Sequence, residues 1–448
     1  MAASRTGERF QTGLRRGLAR LRGKVSPWGV PLLVRRDHGT EVRHFARAYH
    51  RALAAVVRAW NDNEEVRRVV AIPPQFEEIV RADRMLGSAR IHLCRLDLLP
   101  HADGGFSVME TNANCPGGLL STGRASRQWR GHLSSAGFGL PRPLEHEAAQ
   151  WMAKWFIKTA TTATGQVPDL VALLRWENGS RLEFPGLAEE FAQLGVDALE
   201  ADPRELTTTR GGLLSLHGRT VRHAYWKLGI LELHERQQDV GAVLSAIQDR
   251  QLFVQNGLAA RIIGDNKLCL AILSDRAFES LFDPQDLACI RPHIPWSRNV
   301  GLCSAAQLHD IRLNPAYYVL KRPFDSRGRG VVIGRESDDA GAWERAVDLA
   351  KGERWLVQEF CATTRLATAS HHESSPHHDL ALAVADGHVV GALSRSSNEL
   401  RTNVGQSGRL HPVFMEERRA RFRPIVLGMP AAPTVEPATR APSDAQQL

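Results

Sequence analysis

Between residues 42 and 60 the apolar residues Phe45, Ala46, Tyr49, Leu53, Val56, Val57 and Trp60 recur at three- and four-residue steps. That period predicts a helix with one buried face. The period then changes. Residues 91–99 and 106–109 read as strands, with Asp103-Gly104-Gly105 as the hairpin turn between them. Residues 170–174 form a short unbroken apolar run, as in a parallel strand buried on both faces. Residues 187–194 read as a helix stopped by Gly195, and a strand around 196–199 follows. Residues 213–216 and 220–225, joined through His217-Gly218, read as a second hairpin. Further along, 266–281 is predicted helical, 317–321 and 331–334 are strands flanking a Gly- and Arg-rich loop, and 355–360 is a strand. The last hairpin, 380–385 and 388–393, turns on Asp386-Gly387.

These elements group into a mixed α/β and α+β chain. Residues 1–40 are a basic N-terminal segment, 41–165 hold the first hairpin and the helices after it, 166–255 form an accessory α/β unit, and 256–425 form a larger α+β region. Residues 426–448, rich in Pro, Ala, Thr and Ser, bury too little apolar surface to fold and are expected to be disordered. No run approaches the ~20 apolar residues of a membrane helix, and no apolar stretch follows the charged N-terminus as a secretory leader requires. The six cysteines (Cys94, Cys115, Cys269, Cys289, Cys303, Cys361) are scattered singly without a CxxC pair. Reduced thiols in a cytoplasmic protein explain them better than a disulfide framework or a zinc site.

The formal net charge is +8, and it comes from arginine, since the chain holds only seven lysines. Such a balance favours phosphorylated or otherwise anionic partners. The densest basic stretch, 15–24, has no interleaved aromatic residues. It reads as a solvated face or tail and not as a nucleic-acid arm. His371, His372, His377 and His378, with Glu373 and Asp379 beside them, offer transition-metal ligands, but their Ser/Pro context reads as a solvated loop.

Two constellations carry candidate chemistry. In the first, Arg95 and Asp97 point to one face of one strand because side chains alternate with period two, and Glu110 and Asn112 share a face of its partner. Two carboxylates and an amide oxygen suit magnesium, which takes hard oxygen ligands and shares them with phosphates. Arg95 can neutralise charge on a transferred phosphoryl group. In the second, Lys321 ends a strand and leads into a loop containing Gly328 and Gly330, whose backbone can approach phosphates closely. Lys267 lies at the start of a predicted helix, where it can meet a phosphate as a point charge. Gln358, Glu359 and Phe360 form a strand end that can hold an adenine through backbone groups, the Gln358 side chain and an apolar wall. Arg395, Arg401 and Asn403 follow the last hairpin and suit a phosphate or a substrate carboxylate. This is neither a Walker loop nor a Rossmann fingerprint.

Taken together these segments resemble the ATP-grasp superfamily. Lys267, Lys321, Gln358, Arg395 and Thr402-Asn403 occur in that family's usual order. The closing segment, Arg95-x-Asp97 and Glu110-x-Asn112 before Pro116, stands near the beginning of the chain, as in the circularly permuted branch. Glu110-Thr-Asn-Ala-Asn-Cys-Pro116, Asn266-Lys267-Leu-Cys-Leu and Val319-Leu-Lys-Arg-Pro are similar to relatives of glutathionylspermidine synthetase. The resemblance covers roughly 91–118 and 256–415, and 166–235 only in outline. No acid follows the hinge to hold a ribose: Ala362, Thr363, Thr364 and Arg365 stand there.

The resemblance implies two β-rich subdomains clasping ATP, with 166–255 as an accessory pre-ATP-grasp-like domain. Asp97, Glu110 and Asn112 would hold magnesium. Lys267, Lys321, Gly328, Gly330, Gln358, Glu359, Phe360 and Asn403 would hold the nucleotide. Arg95, Arg395 and Arg401 would serve the reaction between a carboxylate and an amine, each a small molecule or a peptide, through an acyl phosphate. A kinase that stops at phosphorylation, a nucleotide-binding protein without turnover and a basic nucleic-acid-binding protein are the alternatives, and the last leaves the acid set unexplained.

Overall fold

The computed structural model describes residues 32–83, 90–101, 104–114, 116–120, 122, 126–127, 130, 134, 142–143, 150–179, 181, 183–325, 330–337, 339–365, 376–402 and 409–415. Four sheets are present among them. The largest has seven strands, in the order Leu32–Val34, Arg409–Met415, His388–Ser397, His377–Ala385, Leu93–Pro100, Phe106–Asn112, with Arg142–Pro143 also paired to Arg409–Met415. Strands from the beginning and the end of the chain therefore lie side by side. Leu93–Pro100 runs antiparallel to His377–Ala385, with Asp97 opposite Ala381.

The amphipathic segment expected at 42–60 is a longer helix, Arg36–Asp62. Its Phe45, Tyr49, Leu53 and Val56 pack into one core with Leu96, Leu98, Leu382 and Val384. Alternation then sends Arg95 and Asp97 to the other face of the sheet. At the hairpin joining His377–Ala385 to His388–Ser397, Asp386 (φ 46°) and Gly387 (φ 80°) take the left-handed pair that a two-residue turn requires.

The accessory unit holds a four-stranded parallel sheet ordered Phe253–Val254, His223–Trp226, Leu170–Leu174, Asp197–Ala201. Trp151–Thr164 and Phe184–Ala192 cover one side through Phe156, Phe184, Leu187 and Phe191. A third sheet orders Ser297–Asn299, Leu356–Glu359, Tyr318–Lys321 and Val331–Ile333, all antiparallel. Helices Ala305–Leu313 and Ala340–Gly352 back it, with Ile311, Trp343 and Val347 packed on Leu320 and Val357.

Several expectations need correcting. Residues 220–225 are not one strand: Arg219–Val221 closes the hairpin on Leu214–Leu216, and after Arg222 the chain leaves to become the parallel strand His223–Trp226. The continuous helix expected at 266–281 is broken into Cys269–Ser274 and a 3-10 turn, Arg276–Leu281, and Lys267 sits in the gap after an earlier helix, Leu258–Gly264. His377 and His378 belong to a buried strand, not a solvated loop, and His371, His372 and Glu373 lie outside the described residues. The five described cysteines are unbridged. No helix among the described residues is long and apolar enough to cross a membrane. Of the basic segment expected at 1–40, residues 32–40 form the strand Leu32–Val34 and the start of the helix Arg36–Asp62, while its first 31 residues, the tail 426–448, Cys115, Gly328 and Asn403 lie outside the described residues.

Candidate active site

The acid hairpin is built by a register shift. Arg95 pairs with Asn112 and Asp97 with Glu110, but Leu98 pairs with Val108, so Met109 is an extra residue. Phe106 and Val108 face the helix-packed core, and without the bulge Glu110 and Asn112 would follow them inward. One inserted residue reverses the face and turns both towards Arg95 and Asp97. The Asn112 amide nitrogen then lies 3.4 Å from Asp97 and 3.5 Å from Glu110. A half-turn of that amide, which swaps oxygen and nitrogen in the same volume, would present three oxygen donors to one ion. No three His, Cys, Asp or Glu side chains cluster for a metal among the described residues. The donor set here is two carboxylates and an amide, which fits magnesium completed by phosphate oxygens and water.

Asp97 is fully buried and held by two guanidinium groups. Arg95 donates to it at 2.7 and 2.8 Å, and Arg395 at 2.9 Å. Burial opposes the carboxylate, but Arg395 and Arg95 outweigh it and keep its pKa well below the ordinary range. Arg95 also donates to the carbonyl of Gly117 at 2.8 Å, tying the strand to the loop that follows Asn112.

The cations come from the third sheet and the broken helix. Leu320 and Val357 face the helices, so alternation turns Lys321 and Gln358 towards the acid hairpin. Lys321 Nζ donates to the Met109 carbonyl freed by the bulge, at 2.8 Å, and to Gln358 Oε1 at 2.6 Å. Gln358 Nε2 donates to Ser297 Oγ at 3.2 Å and to the Val108 carbonyl at 3.4 Å. Burial pushes the Lys321 ammonium down to about 8, with Glu110 pulling the other way. Lys267 reaches Glu110 at 3.4 Å and donates to the Asp325 carbonyl at 2.7 Å. Gly330 has φ +64°, and a Cβ there would come within 2.8 Å of the Asp325 carboxylate. The loop thus requires glycine at that position.

Other expected residues lie elsewhere in the arrangement. Glu359 is exposed, and its amide donates to the Trp296 carbonyl at 2.8 Å. The Phe360 amide donates to the Tyr317 carbonyl at 2.7 Å, and Arg335 stacks 4.3 Å over the Phe360 ring, covering one side of the apolar wall. Arg401 does not join the acid set: it pairs with Glu336 at 2.9 Å, beside the third sheet.

Several buttresses went unrecognised in the sequence. Asp379 stands opposite Arg395, accepts from its side chain at 2.6 to 3.1 Å and from its amide at 3.0 Å, and accepts from the Thr402 hydroxyl as well. Burial raises its pKa, and Arg395 opposes that. Asp265 accepts from the amides of Ala113 (2.6 Å) and Asn114 (2.8 Å) at the end of the acid strand. Asn256 stitches the other side, accepting from the His92 and Leu93 amides and donating to the Leu93 and Ala113 carbonyls. In the accessory unit Glu183 and Lys227 form a buried ion pair, and Glu183 accepts from the Leu120 amide at 2.9 Å. Acids and amides at i and i+2 could flag the hairpin, but these partners are joined only by tertiary contact.

No family model and no curated protein matches this chain. Among solved structures it is similar to a glutathione synthetase-like effector from Globodera pallida, at 15% identity over 86% of this chain and 89% of that chain, with a TM-score of 0.57. It is also similar to a putative gamma-glutamylcysteine synthetase from Methylobacillus flagellatus KT, at 14% identity over 84% of this chain and 86% of that one, with a TM-score of 0.40. The fold is therefore like that of the glutathione synthetase-like effector.

Proposed function

We propose that this chain is an ATP- and magnesium-dependent carboxylate–amine ligase of the circularly permuted ATP-grasp type, acting in the cytoplasm. One observation carries the proposal: oxygen donors from 95–112 meet the ammonium groups of Lys267 and Lys321, with Lys267 at 3.4 Å from Glu110 and Lys321 at 2.8 Å from the Met109 carbonyl. Anionic and cationic groups converging from opposite parts of a chain are what a metal-bound triphosphate needs. The pairing of Leu93–Pro100 with His377–Ala385 supports the permutation, because it restores the spatial neighbourhood of segments that an unpermuted chain would present consecutively.

Asp97, Glu110 and Asn112 would hold magnesium, which when bound neutralises phosphate charge and aligns the reacting oxygens. Lys267 and Lys321 bind the phosphates as point charges. The Glu359 and Phe360 amides already donate to the Trp296 and Tyr317 carbonyls, so an adenine beside the Phe360 ring would be held by other groups. A substrate carboxylate oxygen attacks the γ-phosphorus, the bond to the ADP oxygen breaks, and an acyl phosphate results. Arg95 stabilises charge on the transferred group, because phosphoryl transfer depends chiefly on positioning and electrostatics. The amine nitrogen then attacks the acyl carbon, phosphate leaves, and the nitrogen gives up a proton to form the amide.

The test is phosphate release from ATP across a panel of small and peptide carboxylates, each with and without amines. Release that needs both partners supports a ligase. Phosphorylated product accumulating without regard to amine would make the protein a kinase, and tight ATP binding with no turnover on any pair would leave a nucleotide-binding protein.

A further inference from the structure

Helix Arg36–Asp62 has a second face. Phe45, Tyr49, Leu53 and Val56 pack towards the sheet, while Arg51, Ala54, Ala55 and Arg58 lie on the opposite side of the helix and wall a groove of about 540 Å3. The groove's other wall is Leu281 and Phe282, just before helix Pro284–Ile290, and Ile91 closes its end. Its floor is therefore apolar, and its rim is charged. Three guanidinium groups, of Arg51, Arg58 and Arg90, stand there against two carboxylates. Both carboxylates are engaged. Asp286 is gripped at both oxygens by Arg51, one of them from Nε at 2.7 Å, and Asp283 accepts from the amides of Gln285 at 2.8 Å and Asp286 at 3.2 Å. His50 meets the Ile91 carbonyl at 2.6 Å, and burial lowers its pKa, so it adds no charge. Arg58 is exposed and meets no acid among the described residues. Arg90 reaches Asp386 at 3.2 Å, but Asp386 also has His92 and Trp155 as donors, each at 3.3 Å, so Arg90 can turn to a ligand without stranding it.

We propose that this groove binds a small apolar anion, an aromatic or branched aliphatic carboxylate, whose carbon skeleton lies on Ala55 and Phe282 and whose charge is met by Arg58 and Arg90. Pockets for small molecules have this make-up: a few hundred Å3, mostly apolar walls and a small number of convergent polar groups. The excess of cations over free carboxylates selects an anion. The ligand is not a reactant of the acid hairpin, because the helix and the sheet stand between the groove and the face that carries Asp97 and Glu110. The site is independent of the ligase reading and stands or falls without it.

Fluorine NMR titration of the full chain with 4-(trifluoromethyl)benzoate tests this, with the uncharged 4-(trifluoromethyl)benzyl alcohol as its twin. A dissociation constant of about 1 mM or tighter is expected for a probe of this size. The alcohol should bind at least about 10-fold more weakly, because charge-assisted bonds are the stronger ones. Arg58→Gln should weaken the benzoate about 10-fold, and Ala55→Trp, which fills the groove, should abolish its binding. Circular dichroism checks that both variants are folded, and the exposed Arg58 decides the matter if Ala55→Trp is not. Equal binding of acid and alcohol, or binding of neither at about 10 mM, overturns the proposal. So does benzoate affinity unchanged in Arg58→Gln, or displacement of the benzoate by the β,γ-imido analogue of ATP, which would put the probe among Lys267 and Lys321. Affinity that falls as protein concentration rises would mean that a second copy covers the groove, and would overturn it equally.

Discussion

Replacing Glu110 by Gln and Asp97 by Asn separates a metal-binding role from a folding role. Asp97 is fully buried and accepts three charge-assisted bonds, at 2.7, 2.8 and 2.9 Å, from two arginines. Removing one partner of such a buried set strands the other charges and costs about 3–5 kcal/mol. Total stability of a folded domain is only about 5–15 kcal/mol, so Asp97→Asn should lower the melting transition by roughly 10 °C. Glu110 keeps 22% of its side chain exposed and makes one long ion pair, at 3.4 Å. Its loss should cost no more than about 1 kcal/mol, a shift of roughly 2–4 °C. On activity the two converge: a lost oxygen donor to the metal should reduce ATP-dependent phosphate release at least about 100-fold in either variant. Melting followed by circular dichroism, with phosphate release measured well below the transition, reads both quantities. If Glu110→Gln keeps wild-type turnover, or Asp97→Asn melts with the wild type, the electrostatic account of this hairpin is wrong.

Three further outcomes follow from other groups. Lys321 has its pKa near 8 in the folded chain against about 10.4 when unfolded, so between those values the unfolded chain holds a proton that the folded one has lost. Folding should therefore strengthen as pH rises through that window, while nucleotide affinity falls as the ammonium discharges; calorimetric binding and urea midpoints at pH 7 and pH 9.5 should move in opposite directions, and parallel movement would contradict this. Burial lowers His378 to about 4, with His411 adding to the effect; below about 6.5 the unfolded chain takes up a proton that the folded one refuses, so stability should drop as pH falls from 6.5 towards 4, and His378→Gln should flatten that acid limb in urea titrations. Asn256→Ala would unpair the His92 and Leu93 amides and the Leu93 and Ala113 carbonyls, each worth about 1–3 kcal/mol when stranded, so little folded protein should survive at 37 °C, as judged by proteolysis.

Local pattern carried much of the sheet structure. The unbroken apolar run of Leu170–Leu174 is a buried parallel strand, and the last hairpin turns on Asp386-Gly387 as expected. The face of Glu110 was legible only by chance. Residues 106, 108, 110 and 112 share one parity, and that parity would bury all four together. The bulge at Met109 resolves the conflict between two apolar and two polar residues in one strand, and nothing in the residue itself announces it. The helix over 266–281 failed for a related reason. Residues 266–273 are buried throughout, Asp265 is held by the amides of Ala113 and Asn114, and Lys267 sits in the break between Leu258–Gly264 and Cys269–Ser274. Asp379 was read with the histidines as loop polarity, since its role exists only once Arg395 is placed opposite it by register.

The antiparallel match between Leu93–Pro100 and His377–Ala385 also constrains how the chain is made. During synthesis the hairpin carrying Asp97 and Glu110 leaves the ribosome long before its neighbour exists. Until then it has an open edge, able to pair with any passing strand. Contacts this distant in the chain also form slowly. A ribosome must therefore travel through most of the message before the acids and arginines can neutralise one another, and nascent chains stalled short of residue 377 should be prone to aggregate or to need a chaperone.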